Sequence, residues 1–237
     1  MAGSLLLVLA HPDDESMGNG TLIARHAANG CEVRLVCATR GGMGWNGRPE
    51  GAKFEELPEI RARELDRAAE VLGLADVELW DYPDGGVPGC DQAEITARIR
   101  EAVARARPDV VVGWGPDGGY GHPDHIAIGA CTDAALAGSG LPHYHMATDR
   151  PQADAWLQAA GGGGGGFKLQ PLDRVDAILE PSPDELAMVK AAVGCHDSQL
   201  SEMYQALLAT DERAWWMARN CYVRVAPVTD LLPELRR

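Results

Sequence analysis

Two short clusters hold most of the side chains in this sequence that could do chemistry. His11-Pro12-Asp13-Asp14-Glu15 lies near the amino end, and Asp117, Tyr120 and His122-Pro123-Asp124-His125 lie far downstream. Two imidazoles and one carboxylate are a common catalytic zinc set, with a fourth position left for water. The donors on offer are His11, His122, His125, Asp13 and Asp14. Bound zinc brings the pKa of its water to about 7, and a carboxylate within hydrogen-bond reach can take the proton. Of two successive aspartates one can ligate while the other stays available as that base, because neighbouring side chains of an extended loop point different ways. A histidine left off the metal can protonate a leaving amine or stabilise a tetrahedral oxyanion. These parts suffice to hydrolyse an amide. Each cluster alone also has a plain reading, since Asp often caps a helix and His can cap a loop. A serine hydrolase is disfavoured: G-x-S-x-G is absent, and Ser16 has no dedicated base.

The surrounding pattern says what positions them. Ser4 to Ala10 is an apolar run of strand length, as expected of a strand buried on both faces. A helical pattern from Thr21 to Asn29 follows, then a strand over Glu32 to Ala38, a helix over Pro58 to Leu72 and a short strand over Val77 to Trp80. Gln92 to Ala106 is predicted helical, Asp109 to Trp114 a fourth strand, and His125 to Leu136 a helix. Strand alternating with helix implies an α/β fold, a Rossmann-like doubly wound and mostly parallel sheet with helices on both faces. The two clusters follow the first and fourth strands. In doubly wound orders those strands are neighbours, so the clusters face each other across a crevice at the carboxyl ends. Neither G-x-G-x-x-G nor a P-loop is present, and Gly18-Asn19-Gly20 is too short to cradle a phosphate. Residues 141–170, with the run Gly161 to Gly166, read as a flexible segment, and 171–237 as an extension of helices (184–194, 200–208) and strands (172–179, 220–226). The chain is expected to be a single domain, 1–237, whose core spans 1–140. His26, His143 and His145 have no partner pattern and read as structural or surface residues.

Composition narrows the partners. The chain has 237 residues, 46% of them hydrophobic, enough for one sizeable core. With 21 basic against 35 acidic residues, the net charge of −14 disfavours nucleic acid and anionic membranes and favours a small neutral or cationic substrate. No apolar run reaches membrane-spanning length, and the amino end lacks the pattern of a signal peptide. Six cysteines without a C-x-x-C pair suit a reduced cytoplasm.

The residues A-H-P-D-D-E after an amino-terminal strand, with H-P-D-H downstream, resemble the PIG-L or LmbE-like family of zinc-dependent N-acetylglucosaminyl deacetylases. Thr39-Arg40-Gly41, Arg61-x-x-Glu64, Tyr82-Pro83-Asp84-Gly85 and His196-x-Ser198-Gln199 add to the likeness. The resemblance implies that His11, Asp14 and His125 bind zinc or ferrous iron, with Asp13 as general base and His122 as acid or oxyanion stabiliser. It implies that Asp124 orients a histidine, that Arg61 and Asp84 contact substrate, and that the chain forms a homo-oligomer. Held by a carboxylate, His122 is expected to stay protonated near neutral pH and to give the rate an alkaline limb. Gly42 departs from relatives, which often carry an acidic residue there; Trp45 either stacks on a sugar face in compensation or packs its loop. The function expected is removal of an N-acyl group, acetyl foremost, from an amino sugar or glycosylated small molecule. The alternatives are an amidase for another amide such as a thiol conjugate, and a non-catalytic sugar- or metal-binding module.

Overall fold

Alternate residues of the first strand, β1 (Ser4–Leu9), feed two different cores. Leu5, Leu7 and Leu9 enter one cluster and Leu6 and Val8 another, so the run is apolar throughout because both faces are covered. The computed structural model describes residues 3–44, 53–159 and 168–225. Trp45 and the Gly161–Gly166 run lie outside the described residues. The elements that follow β1 are α1 (Asp14–Ala28), β2 (Glu32–Thr39), α2 (Leu57–Leu72), β3 (Asp76–Tyr82), α3 (Gln92–Ala106) and β4 (Val110–Trp114). After a kinked single turn, α4 (Gly118–Gly121), come α5 (Pro123–Leu136), β5 (His143–Ala147), α6 (Arg150–Ala159), β6 (Ala177–Leu179), α7 (Pro183–Cys195), α8 (Glu202–Leu208), α9 (Asp211–Ala218) and β7 (Asn220–Arg224).

The sheet order is β3-β2-β1-β4-β5-β7-β6. Strands β1 to β5 pair in parallel, and β7 runs antiparallel to both β5 and β6. The doubly wound α/β expectation holds, and β1 and β4 are neighbours at the switch point. One face carries α1, α2 and α7; the other carries α3 and α5. A third cluster, built on Met17, Val189, Val193, Leu207 and Met217, ties α1 to α7, α8 and α9.

Three expectations need correction. Helix α1 begins at Asp14, not Thr21, with Gly18 and Gly20 inside it: a Cβ at Gly20 would stand 2.8 Å from Val189 Cγ2, so the glycine admits α7. Residues 143–159, expected to belong to a flexible segment, form β5 and α6. The strand expected over 172–179 is confined to Ala177–Leu179, and its neighbour β7 completes the same sheet rather than a separate extension. The six cysteines form no disulfide. Among the described residues no helix is long and apolar enough to cross a membrane.

Candidate active site

The turn between β1 and α1 is set by backbone geometry that a side-chain-bearing residue rarely adopts. Asp13, the N-cap of α1, has φ +111°. Such a conformation costs about 1–3 kcal/mol at a non-glycine residue and persists only where its surroundings fix it. Glu15 Oε2 accepts the Asp13 N–H at 2.9 Å, and Arg61 Nη2 donates to Asp13 Oδ2 at 3.0 Å and to the Pro12 carbonyl. Asp14 turns the other way, its Oδ2 accepting the N–H groups of Ala10 and His11 at 3.1 and 2.8 Å.

Across the switch point, His125 is fully buried near the start of α5, and its Nδ1 donates to the Gly118 carbonyl at 3.1 Å. Its Nε2 lone pair therefore faces His11 Nδ1, 3.0 Å away. His11 Nε2 in turn donates toward Asp124 and Asp84 at 3.2 and 3.1 Å, which leaves Nδ1 as the atom free to accept or to ligate. Asp14 completes the set, its Oδ1 3.5 Å from His125 Nε2 and its Oδ2 3.8 Å from His11 Nδ1. Two imidazole lone pairs and a carboxylate aimed at one point fit a single divalent cation. His122 also lies close enough to join His11 and His125 as a donor group. Its Nδ1, however, accepts the Asp124 N–H at 3.2 Å as the cap of α5, so in the neutral ring Nε2 carries the proton and cannot ligate.

Electrostatics agree with that partition. Without a cation, burial works against charge on His11, but Asp124 and Asp84 push its pKa up to about 10. Burial raises Asp14 to about 7 against the pull of His11, and raises Asp13 against Arg61. His125 lies well below the ordinary histidine value through burial and the charge of His11. His122 is lowered too, by burial and then by His11. The expectation was a His122 kept protonated by a carboxylate; here burial and then His11 outweigh the opposing charges of Asp124 and Asp84, and the Asp124 carboxylate is hydrogen-bonded to His11 and to the Gly85 and Val87 N–H groups at 2.6 and 3.1 Å.

Asp84 and Arg61 both stand at the site, Asp84 with both oxygens engaged and Arg61 through Nη1 and Nη2, its buried Nε having no hydrogen-bond partner among the described residues. Asp84 Oδ2 accepts the Met43 N–H at 2.7 Å; burial would raise its pKa, but His11 and Met43 hold it at about 2. Arg61 is 3% exposed and donates from Nη1 to the Gly41 carbonyl at 2.9 Å, so it bridges two loops. Its helix neighbour Glu64 serves elsewhere, accepting from Ser198 N and Oγ at 2.8 and 2.6 Å.

Two buried contributors escaped assignment from sequence. Glu15 and His196, both 0% exposed, meet at 2.6 Å across 181 residues of chain, so the carboxyl-terminal part of the chain braces the Asp13 turn. The His196-x-Ser198-Gln199 motif was the available signal, but spacing alone does not say which residue it meets. Trp114 stacks on the His125 ring with centroids 3.7 Å apart. Beside Asp13 and Asp14 opens a cavity of about 110 Å³, walled by Met17, Trp114, Tyr120, Met146, Trp156 and Met217.

Fold and site together define a Rossmann-like α/β protein with a donor set for one divalent cation at its switch point. The chain belongs to the PIG-L family, whose model, described as GlcNAc-PI de-N-acetylase, matches residues 6–136. It is 39% identical over 166 residues to a 1D-myo-inositol 2-acetamido-2-deoxy-alpha-D-glucopyranoside deacetylase of Kineococcus radiotolerans, covering 57% of this chain and 46% of that one. To the enzyme of the same name from Geodermatophilus obscurus it is 35% identical over 227 residues, 80% of this chain and 76% of that one. The chain spans about half the length of several of the curated relatives it matches. Among solved structures, GalB, the 4-carboxy-2-hydroxymuconate hydratase from Pseudomonas putida KT2440, superposes with a TM-score of 0.67 at 20% identity, over 97% of this chain and 99% of that one. At that identity the likeness carries the fold and not the reaction.

Proposed function

We propose that this protein is a metal-dependent N-deacylase that hydrolyses the amide of an N-acylated, foremost N-acetylated, amino-sugar conjugate. The observation that carries the reading is the convergence of His11 Nδ1, His125 Nε2 and the Asp14 carboxylate within 3.0–3.8 Å, with Asp13 held beside them in a strained turn. A zinc or ferrous ion held by these three residues would acidify a water and polarise the amide carbonyl. Asp13, a carboxylate whose burial makes it basic, takes the water's proton and passes it to the departing amine. His122, neutral with its proton on Nε2, donates a hydrogen bond to the oxyanion. Asp124 fixes the His11 tautomer, and Arg61 fixes Asp13. The sugar enters from the β2–β3 side, where Arg61 and Asp84 stand, and the acyl group points to the cavity on the β5 side, whose wall mixes apolar residues with Gln152, Arg219 and Asn220. A role inside the cell suits six thiols without a disulfide.

The test is release of free amine from 1D-myo-inositol 2-acetamido-2-deoxy-α-D-glucopyranoside, and from an amide-linked thiol conjugate of the same sugar, by zinc-loaded protein. Amine from the acetamide supports the reading, and preference for the thiol conjugate would move the assignment to an amidase. Stoichiometric metal with no amine from either would leave a binding module.

A further inference from the structure

The sheet carries a second group of metal-ligand residues, away from the switch point. His143 and His145 are two apart on β5 and so project from the same face, the one covered by α5. Asp133 reaches them from α5, the helix that leads into β5. One ligand atom from each of the three lies within 4.8 Å of the others. His145 Nε2 is 2.8 Å from Asp133 Oδ1, and His143 Nδ1 is 3.5 Å from that same oxygen. We propose that Asp133, His143 and His145 form a second divalent-metal site of zinc type, a structural clip between α5 and β5, distinct from the active-site cation.

The geometry favours a cation over a mere hydrogen-bonded trio. A single carboxylate oxygen serves two imidazoles, and the longer contact, at 3.5 Å, is at the limit of hydrogen bonding. His143 is 4% exposed, so the nitrogen it turns toward Asp133, Nδ1, lies inside the protein. Two imidazoles and a carboxylate are a borderline-soft set that suits zinc better than calcium or magnesium. Asp133, with a side chain 42% exposed, leaves the outer side open for a water as fourth ligand.

The site would bear on the catalytic loop without belonging to it. A Cβ placed on Gly115 would lie 3.4 Å from His145 Cβ and 3.0 Å from Asp117 Oδ1, so the loop after β4 rests on His145. That loop continues into Gly118, whose carbonyl fixes His125.

The experiment is metal counting on the full chain, loaded with zinc and passed through gel filtration in metal-free buffer. Wild type should retain two zinc ions. Asp133→Ala and His145→Ala should each retain one, His125→Ala one, and the double variant Asp133→Ala/His125→Ala none. As an independent readout, zinc should raise the Tm of His125→Ala, and adding Asp133→Ala should abolish that rise. Asp133 is partly exposed, so its replacement leaves the core intact, and far-ultraviolet circular dichroism checks the fold of each variant. One zinc in wild type, or two persisting in folded Asp133→Ala/His145→Ala, overturns the proposal. Loss of amine release with two zinc ions still bound would instead count against the proposed function and leave this site standing.

Discussion

Asp13 and Asp14 are adjacent and chemically identical, yet the backbone gives them different surroundings, and the proposed function gives them different work. Asp14 sits in the first turn of α1 with one oxygen tied to the Ala10 and His11 N–H groups, which aims the other at His125. Asp13 is turned away by its positive φ and is met by Arg61. Asp13→Asn should therefore keep the active-site metal and lose about 10²–10⁴-fold in kcat with little change in KM. Metal loss in parallel with activity would mean that the two aspartates exchange roles. His122 gives a second test. Because burial and His11 lower its pKa, the ring is already neutral at pH 7 and has no proton to lose as pH rises. His122→Ala should retain metal and cost about 10²-fold or more, while any alkaline limb of the pH–rate profile stays where it was. A limb that vanishes with His122 would restore the protonated imidazole suggested by sequence. Reading the sequence sufficed to bring His11, Asp14, His122 and His125 to one crevice. It could not say that Asp124 would choose His11 over His122, because that depends on which atoms a helix cap consumes.

Elements show the same division between what periodicity reveals and what packing decides. Buried parallel strands write continuous apolar runs, so β1, β2 and β4 were legible. β5, His143–Ala147, was not, since two histidines interrupt its apolar pattern and its neighbour β7 arrives from 73 residues further on, Tyr144 pairing with Arg224 near one end and Ala147 with Cys221 at the other. The start of α1 was missed for another reason: Gly18 and Gly20 have poor helix propensity, about 1 kcal/mol below alanine each. Their value lies in what they leave room for. A Cβ at Gly20 would meet the stiff, fully buried Val189 at 2.8 Å, whereas one at Gly18 would meet the flexible end of Met146 at 2.5 Å. Gly20→Ala should thus destabilise the fold by about 1–3 kcal/mol, overpacking outweighing the gain in propensity. Gly18→Ala should be nearly neutral, because the methionine tip can move. Thermal melts of the two variants decide between packing and propensity, and a stabilised Gly20→Ala would show that α7 yields.

At the scale of the whole molecule, the site is a place where folding stability and metal binding are linked through protons. In the metal-free chain the folded pKa of Asp14 stands at about 7 against an ordinary 3.8, and that of His11 at about 10 against 6.5. Both are raised, so the folded state binds more protons than the unfolded one and stability falls as pH rises. For Asp14 the contribution is complete below pH 3.8 and is lost as pH climbs through about 7. For His11 it is complete below 6.5 and lost as pH climbs through about 10. A bound cation takes the place of those protons, and its affinity grows as they leave. The Tm of chelator-treated protein should therefore decline between pH 6.5 and 10, while that of zinc-loaded protein declines less, so that the gap between them widens with pH. Measured on Asp133→Ala, the comparison counts the active-site metal alone. A gap that stays constant or narrows over this range would mean that His11 does not exchange its proton for the metal, and the ligand set would have to be redrawn without it.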